Sequence, residues 1–212
     1  MSQSIMLEEV IKFSVVFFTV VEPVSLIPIF AAMTEGASPE YSRRMSGKAV
    51  IVAGIILTLF AFGGAPFLRV MGITLQAFRI FGGLVLFLIA LDMVFVRQSG
   101  ARTATTSEQD EARHRDDISV FPLAFPFIAG PGALATILLT FGAHAHEPLL
   151  FAALLGMVAV ILLVTLLLLR VAPTINRIMG VTGANVVGRL SGVVLGALAV
   201  QYVIDGLKGS FS

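Results

Sequence analysis

The sequence has 212 residues, of which 57% are hydrophobic and 13% are charged, and its formal net charge is +1. A single soluble core cannot bury that much apolar surface, so the composition excludes an ordinary water-soluble domain and indicates an integral membrane protein. The near-neutral charge gives no basis for nucleic-acid binding, and the absence of cysteine excludes disulfides, thiolate metal sites and cysteine nucleophiles.

Six apolar runs, each about as long as a membrane-crossing helix, follow one another along the chain. They cover residues 11–33, 49–68, 75–96, 119–142, 149–170 and 187–206. Continuous runs of this length are typical of a helical bundle and not of a barrel built from short alternating strands. The sequence therefore predicts an all-α integral membrane protein with six transmembrane helices.

The positive charges predict the orientation in the membrane. If the N-terminus is outside, ten of the 14 lysines and arginines fall in inner loops and four on the outer side. Inner loops are normally the richer in lysine and arginine. We therefore predict a multi-pass protein of the bacterial inner membrane with both termini on the periplasmic side.

A polar stretch divides the chain into two halves of three spans. Residues 97–117 are predicted to form a cytoplasmic linker between a first repeat at 1–96 and a second repeat at 118–212. Met71-Gly72-Ile73-Thr74 before span three is echoed by Met179-Gly180-Val181-Thr182 before span six. Because each half has an odd number of spans, the second half must insert upside down. Such inverted repeats are common in secondary transporters.

Prolines interrupt the first span of each half. Pro23 and Pro28 lie five residues apart in the first half, and Pro126 and Pro131 repeat that spacing in the second. A proline inside a helix removes a backbone hydrogen bond and clashes with the preceding turn. At membrane depth such a break is tolerated only where protein or a watery cavity satisfies the freed groups. We therefore predict a broken first helix in each half.

Each break is expected to expose the start of a half-helix. Pro28 and Pro131 suit the first helical position, where a missing N–H does no harm. The unpaired amides of the following turn and the helix dipole would then favour a carboxylate. Gly130 and Gly132 leave the backbone of the second break open to approach. The alternative is that these kinks only help crossing helices to fit.

Glu22 is an acid in the middle of the first predicted span. It lies eleven residues from either end of that span, or roughly 16 Å at 1.5 Å per residue. An ionised carboxylate at this depth costs several kcal/mol unless it is paired or hydrated, so it is a candidate functional group. The alternative is a protonated glutamate that bonds to carbonyls freed by Pro23 or Pro28.

The two breaks together predict a site for a small zwitterion. The half-helix amides would bind a carboxylate, and Glu22 or freed carbonyls would bind an ammonium group or a coupling H⁺ or Na⁺. Because the remaining lining is apolar, a small neutral amino acid fits better than a charged one. The candidate substrate- or ion-binding residues are Glu22, Pro23, Ser25, Leu26, Pro28, Pro126, Gly130, Pro131 and Gly132.

Gly188, Gly192 and Gly196 recur every four residues on span six and predict a smooth stripe for close helix packing. The partner helix belongs either to the same chain or to a second copy, so a homo-oligomer is possible. The sequence contains no nucleophile elbow, zinc-protease motif, Walker loop or dinucleotide fingerprint. We expect no enzymatic activity, no metal site and no cofactor. His144 and His146, in a short outer loop, are expected to be solvated.

The proline-containing motifs resemble those of the MarC family of six-span bacterial inner-membrane proteins, which is also grouped as neutral amino acid transporters. The resemblance covers nearly the whole chain, and its second-half motif is the specific one. The motifs are Glu22-Pro23 through Pro28-Ile29-Phe30, Pro122-Leu123-Ala124 and Ala129-Gly130-Pro131-Gly132.

The first motif departs from the family pattern. The family usually has Asp-Pro-x-Gly-Asn-x-Pro there, whereas this chain has Glu22, Ser25 and Leu26 in place of the acid, the glycine and the asparagine. Leu26 removes an amide from the presumed site, and Ser25 narrows the approach to the backbone. The change implies a different substrate range or transport competence.

The sequence thus favours a proton- or sodium-linked transporter of small neutral amino acids that works by alternating access. One alternative is a channel for ions or small solutes. The other is a membrane scaffold or regulator that does not transport, with the linker at 97–117 as its contact surface.

Overall fold

The computed structural model describes residues 3–95 and 117–211, except for the side chains of residues 3, 173, 176–185, 187 and 188. The predicted linker at 97–117 therefore lies, apart from its last residue, outside the described residues. The described chain forms seven helices and one proline-rich segment of wide turns, the proline segment. In order these are α1 (Gln3–Val21), α2 (Leu26–Met33), α3 (Pro39–Val70), α4 (Leu75–Phe95), the proline segment (Ser119–Ile128), α5 (Pro131–Ala143), α6 (Pro148–Arg170) and α7 (Ala172–Phe211).

These elements make up the predicted membrane spans. Five stretches are long and apolar enough to cross a bilayer, and the proline segment with α5, bent by 59°, makes a sixth if the pair counts as one span. Helices α1 and α2 together form the first span, Ser4–Met33. The all-helical, multi-pass architecture is therefore confirmed.

The last helix differs from its prediction. Helix α7 begins at Ala172 and runs for 40 residues, whereas the sequence predicted a loop before a span at 187–206. The proline at position 173 does not prevent this, because it falls in the first helical turn, where no N–H is needed. The motif at 179–182 therefore lies inside a continuous helix.

The matching motif in the first half forms a turn between α3 and α4. Gly72 adopts a positive φ of 70°, which favours glycine because it has no Cβ. The hydroxyl of Thr74 accepts a 3.1 Å hydrogen bond from the amide of Ala77 and caps α4. The motif at 179–182 is helical throughout, whereas the motif at 71–74 forms a turn. The two motifs are therefore similar in sequence but not in backbone conformation.

Helices α4 and α7 form the most extensive contact between elements. A Cβ on Gly206 would lie 2.6 Å from Ile80, near the start of α4, and one on Gly192 would lie 2.8 Å from Met93, near its end. The two helices are therefore antiparallel. Gly196 also faces Ala90 of α4, at 3.5 Å.

The close packing that the glycine stripe predicted is thus made within one chain at Gly192 and Gly196. These two positions lie against α4 of the same chain. The third member, Gly188, lies among the residues whose side chains are not described.

Most of the remaining contacts join one half to the other. Helix α1 packs on α6, and the proline segment packs on α3. Helix α2 packs on α7, and α5 packs on α4. The two interrupted spans are therefore held between the continuous helices of the opposite half, and their breaks lie inside the bundle.

Candidate functional site

The first break follows Val21, where α1 ends. Glu22 has a φ of 48°, the positive φ found at a non-glycine residue in the described chain. Its amide donates to Phe18 at 2.8 Å, and its carbonyl accepts from Ser25 at 3.1 Å. The Glu22 side chain is only 4% exposed within the protein. The predicted break at a buried acid is therefore present.

The start of α2 corrects one prediction. The helix begins at Leu26, so Pro28 is its third residue and not its first. The position is still harmless, because the amides of the whole first turn have no acceptor within the helix. The amide of Ile27 donates to the carbonyl of Val24 at 3.2 Å. This start is consequently less open to a ligand than predicted.

The second break is preceded by two Phe-Pro pairs. Wide hydrogen-bonded turns surround them, in which Leu123 donates to Ile118 at 3.2 Å and Ala129 donates to Ala124 at 2.8 Å. Each bond spans five residues, one more than in an α-helix. The chain then bends by 59° into α5.

Helix α5 begins as the sequence predicts, with Pro131 at its first position and Gly130 as the N-cap. A Cβ on Gly130 would lie 2.3 Å from the carbonyl oxygen of Pro126, so a larger residue would displace the backbone. The first helical hydrogen bond runs from Leu134 to Gly130 at 2.9 Å. The amides of Gly132 and Ala133 precede that bond and have no acceptor within the helix.

The start of α5 lies against the last turn of α1, next to the first break. A Cβ on Gly132 would lie 3.1 Å from Val20, 2.8 Å from Leu86 and 3.3 Å from Ile89. Leu86 and Ile89 lie in the middle of the 21-residue helix α4. Val20 precedes Glu22 by two residues, so Glu22 and the start of α5 are both close to the middle of the bundle.

Little space is left at this meeting point. The cavity there has a volume of about 10 Å³ and is lined by the candidate residues Pro126, Gly130, Pro131 and Gly132, with Val20 and other apolar neighbours. A volume of this size holds about one water molecule. The start of α5 is therefore closely packed.

The other candidate residues do not line this cavity. Glu22 and Pro23 are buried at the end of α1, and Leu26 is buried in the core. Ser25, Leu26 and Pro28 belong to α2 or its N-cap, and α2 packs on α6 and α7. The structure thus brings together the residues of the second break and Val20, and no residue of α2 lines that cavity.

A larger, charged cavity opens at the end of the bundle that carries both termini. It has a volume of about 250 Å³. Its polar lining comes from four helices or their ends: Glu9, Lys12, Arg79, Thr140, His144, Tyr202 and Asp205. We call it the terminal cavity.

The sequence indicated only part of this cavity. Polar residues in the outermost turns of several spans on one predicted side were the available signal, but those residues are far apart in the chain. Asp205 accepts a 2.7 Å hydrogen bond from Gln201. His144 Nδ1 lies 2.9 Å from the carbonyl oxygen of Thr140. His146 lines a separate cavity, and no group of three metal-ligating side chains occurs among the described residues.

At the opposite end of the bundle an ion pair joins the two halves. Lys48 of α3 donates to the carboxylate of Asp117, just before the proline segment. The same carboxylate accepts a 2.9 Å bond from the amide of Ser119. Bonding from Lys48, followed by that from Ser119, lowers the pKa of Asp117 from 3.8 to about 2.

Comparison with known proteins agrees with this architecture. The model of the MarC family of integral membrane proteins matches residues 7–211. The chain is 34% identical over 194 residues to the UPF0056 membrane protein YvbG of Bacillus subtilis, with 92% of each chain covered. It is 34% identical over 203 residues to the UPF0056 membrane protein YhcE of Escherichia coli, covering 94% of this chain and 92% of the relative.

The similarity extends beyond these two relatives. A UPF0056 membrane protein of Aquifex aeolicus is 35% identical over 196 residues, covering 89% of this chain and 87% of the relative. No solved structure matches the chain. Since the family model spans nearly all of a chain that folds as a multi-pass helical bundle with two interrupted spans, this protein belongs to the MarC family of integral membrane proteins.

Proposed function

We propose that this protein carries small neutral amino acids across the membrane by alternating access. The observation that supports this most directly is the packing of the last turn of α1, next to the first break, on the start of the second interrupted helix, with Val20 against Gly132. Interrupted spans that meet near the midplane are the usual binding element of secondary transporters. The resemblance to the MarC family, which is grouped as neutral amino acid transporters, supports the same function.

The reciprocal packing between the halves supports an inverted repeat. The proline segment and α1 each pack on the second span of the other half, and α5 and α2 each pack on the third. The third spans, α4 and α7, pair antiparallel to each other. We propose that one half tilts against the other around this pair, as inverted-repeat carriers do.

The chemistry of the site assigns roles to its residues. The amides of Gly132 and Ala133, at the positive end of the α5 dipole, would bind the substrate carboxylate. Glu22, at the same depth, would bind the ammonium group or a coupling H⁺ or Na⁺. Because the lining from Val20, Ile89 and Phe127 is apolar, a small uncharged side chain would suit the site once it opens.

The small central cavity favours a carrier over a channel. A volume of about 10 Å³ does not admit an amino acid. The bend before α5 must therefore open before substrate reaches the amides, and a site that opens and closes is what alternating access requires. We further propose an inner-membrane location with both termini outside, on the basis of the positive charges.

The test is counterflow. Purified protein is reconstituted into liposomes preloaded with unlabelled glycine, alanine or serine, and uptake of the labelled compound is followed. Wild type should accumulate label saturably above empty liposomes. Glu22→Gln should lose gradient-driven uptake while keeping its monodisperse elution, because it removes the only titratable group proposed for coupling.

Glu35→Gln is the matched control, since Glu35 is an exposed acid in the loop after α2. It should transport like wild type. Undiminished gradient-driven uptake by Glu22→Gln would remove Glu22 from the mechanism. Absence of counterflow from folded wild type across a wider amino-acid panel would reject the carrier proposal.

A further inference from the structure

The terminal cavity contains two cations and two carboxylates that do not neutralise each other directly. Lys12 and Arg79 lie on α1 and α4, and Glu9 and Asp205 lie on α1 and α7. In the described part of the chain, no cation of this cavity forms an ion pair with one of its carboxylates. The charges are therefore arranged around a space and not against one another.

The surroundings of the cavity strengthen the attraction between these charges and an oppositely charged group. Glu9, Arg79 and Asp205 are half-buried, Lys12 is exposed, and Tyr202 lies beside them. Phe13 and Val16 form an apolar wall on α1. Charges beside low-dielectric walls attract an oppositely charged group more strongly than they would in open water.

The size of the cavity limits the ligand. At about 250 Å³ it is smaller than the usual range of roughly 300–1,000 Å³ for pockets that hold drug-sized molecules. A single small solute fits, and one with both a negative and a positive group would satisfy both pairs of charges. Charge-assisted hydrogen bonds to a carboxylate and to an ammonium group are the stronger class of such contacts.

We propose that the terminal cavity is a second binding site, for a zwitterionic amino acid. Arg79 and Lys12 bind the carboxylate, and Asp205 and Glu9 bind the ammonium group. This inference rests on the proposed function only where it takes the bound amino acid to be the transported substrate. Binding itself needs no transport.

The position of the cavity connects it with the central site. Val16 lines the cavity, and Val20, one turn further along α1, contacts Gly132. Four residues of helix correspond to about 6 Å. An amino acid in the terminal cavity therefore lies roughly one helical turn from the start of α5, separated from it by apolar side chains. The cavity is the loading site on the side of the termini.

The experiment measures equilibrium binding of labelled alanine to purified protein that carries Glu22→Gln, so that coupled transport plays no part. Arg79→Gln and Asp205→Asn, added singly, should each weaken alanine binding at least tenfold. Arg79→Lys should recover most of the loss. Propionate and ethylamine, which carry one charge each, should compete at least tenfold less well than alanine.

Two matched controls change similar charges elsewhere. Arg69→Gln alters a cation that lines a neighbouring cavity at the same end of the bundle, and Asp92→Asn alters an acid near the opposite end of α4. Both should bind alanine like the parent. Thermal unfolding of every variant excludes loss of fold as the cause of weaker binding.

The outcomes separate this inference from the proposed function. Alanine affinity unchanged by both Arg79→Gln and Asp205→Asn, with wild-type counterflow intact, would overturn the second site and leave the carrier standing. Alanine binding that depends on Arg79 and Asp205 in a protein without counterflow would support the site and reject the carrier. No alanine binding by folded parent protein would also overturn the second site.

Discussion

Single glycines decide how closely α4 approaches its neighbours. A Cβ on Gly83 would lie 2.8 Å from the backbone oxygen of Ala199 and 2.8 Å from the side chain of Val203. A backbone atom cannot rotate away as a side chain does, so the two helices would have to separate. By contrast, Gly63 of α3 has no atom within 4 Å of such a Cβ.

We predict that Gly83→Ala destabilises the protein by about 1–3 kcal/mol, the usual effect of overpacking. Gly63→Ala, the matched control, should be neutral or stabilise by up to about 1 kcal/mol, because alanine is the better helix former. Thermal unfolding in detergent measures both variants. Equal melting temperatures for Gly83→Ala and wild type would contradict the close contact between α4 and α7.

The backbone at Glu22 gives a physical meaning to the family pattern at that position. Its φ of 48° lies in the left-handed region, which aspartate and asparagine enter more readily than glutamate does. The aspartate usual in the family therefore suits both the charge and the backbone. Glu22 keeps a carboxylate at this break, on a side chain that is one methylene longer than that of aspartate.

At the scale of elements, the two interrupted spans are built differently. Helices α1 and α2 together form a single span without a sharp bend, whereas the proline segment and α5 are bent by 59°. The start of α2 is partly used by turn hydrogen bonds, and the start of α5 has Gly130 and Gly132 on either side of Pro131. The second half therefore has the more open helix start.

The ion pair between α3 and the proline segment should make stability depend on acid pH. The folded pKa of Asp117 is about 2, below the unfolded value of about 3.9. A lowered pKa means that the carboxylate stabilises the fold fully above the unfolded value and loses that effect as pH falls through about 2. Both side chains are about half exposed, so the effect at neutral pH is at most about 1 kcal/mol.

Asp117→Asn should therefore lower the melting temperature slightly at pH 7, and its difference from wild type should disappear as pH approaches 2. Lys48→Gln should lower the melting temperature similarly. The double variant should lower it by less than the sum of the two single changes. Arg44→Gln, one turn earlier on α3, is the control and should show no such pH-dependent difference. A constant gap between Asp117→Asn and wild type down to pH 2 would show that the pair does not contribute.

For the whole molecule, six crossings, with the bent pair counted as one span, would leave both ends on one face of the membrane. Glu9 of α1, His144 after α5 and Asp205 of α7 line one cavity, so these ends share a side. The loop between α2 and α3 lies at the other end of the bundle. Because the chain has no cysteine, single cysteines can be introduced without removing native ones.

We predict that Ala145→Cys and Ser210→Cys react with a membrane-impermeant maleimide on intact cells, whereas Ala37→Cys reacts only after permeabilisation. All three side chains are exposed in the structure. Unequal labelling of positions 145 and 210 would contradict the shared face. Labelling of position 37 alone would mean that the chain inserts in the opposite orientation.

The sequence by itself determined the features that depend on local chemistry. Apolar runs of membrane length predict the spans, and prolines without an N–H predict the breaks and place Pro131 at the start of α5. It did not predict that Pro28 would be the third residue of α2, or that α7 would begin at Ala172, since both starts are compatible with the same residues.

Only the tertiary structure decided which distant residues meet. The glycine stripe predicts a close partner but not its identity, and folding puts α4 against Gly192 and Gly196. The terminal cavity brings together polar residues from four helices or their ends. In the sequence, each of these residues by itself looks like an ordinary side chain at the membrane interface. Hydrophobic periodicity specifies that a face is buried, whereas the neighbour that covers it is determined by the packing of the complete bundle.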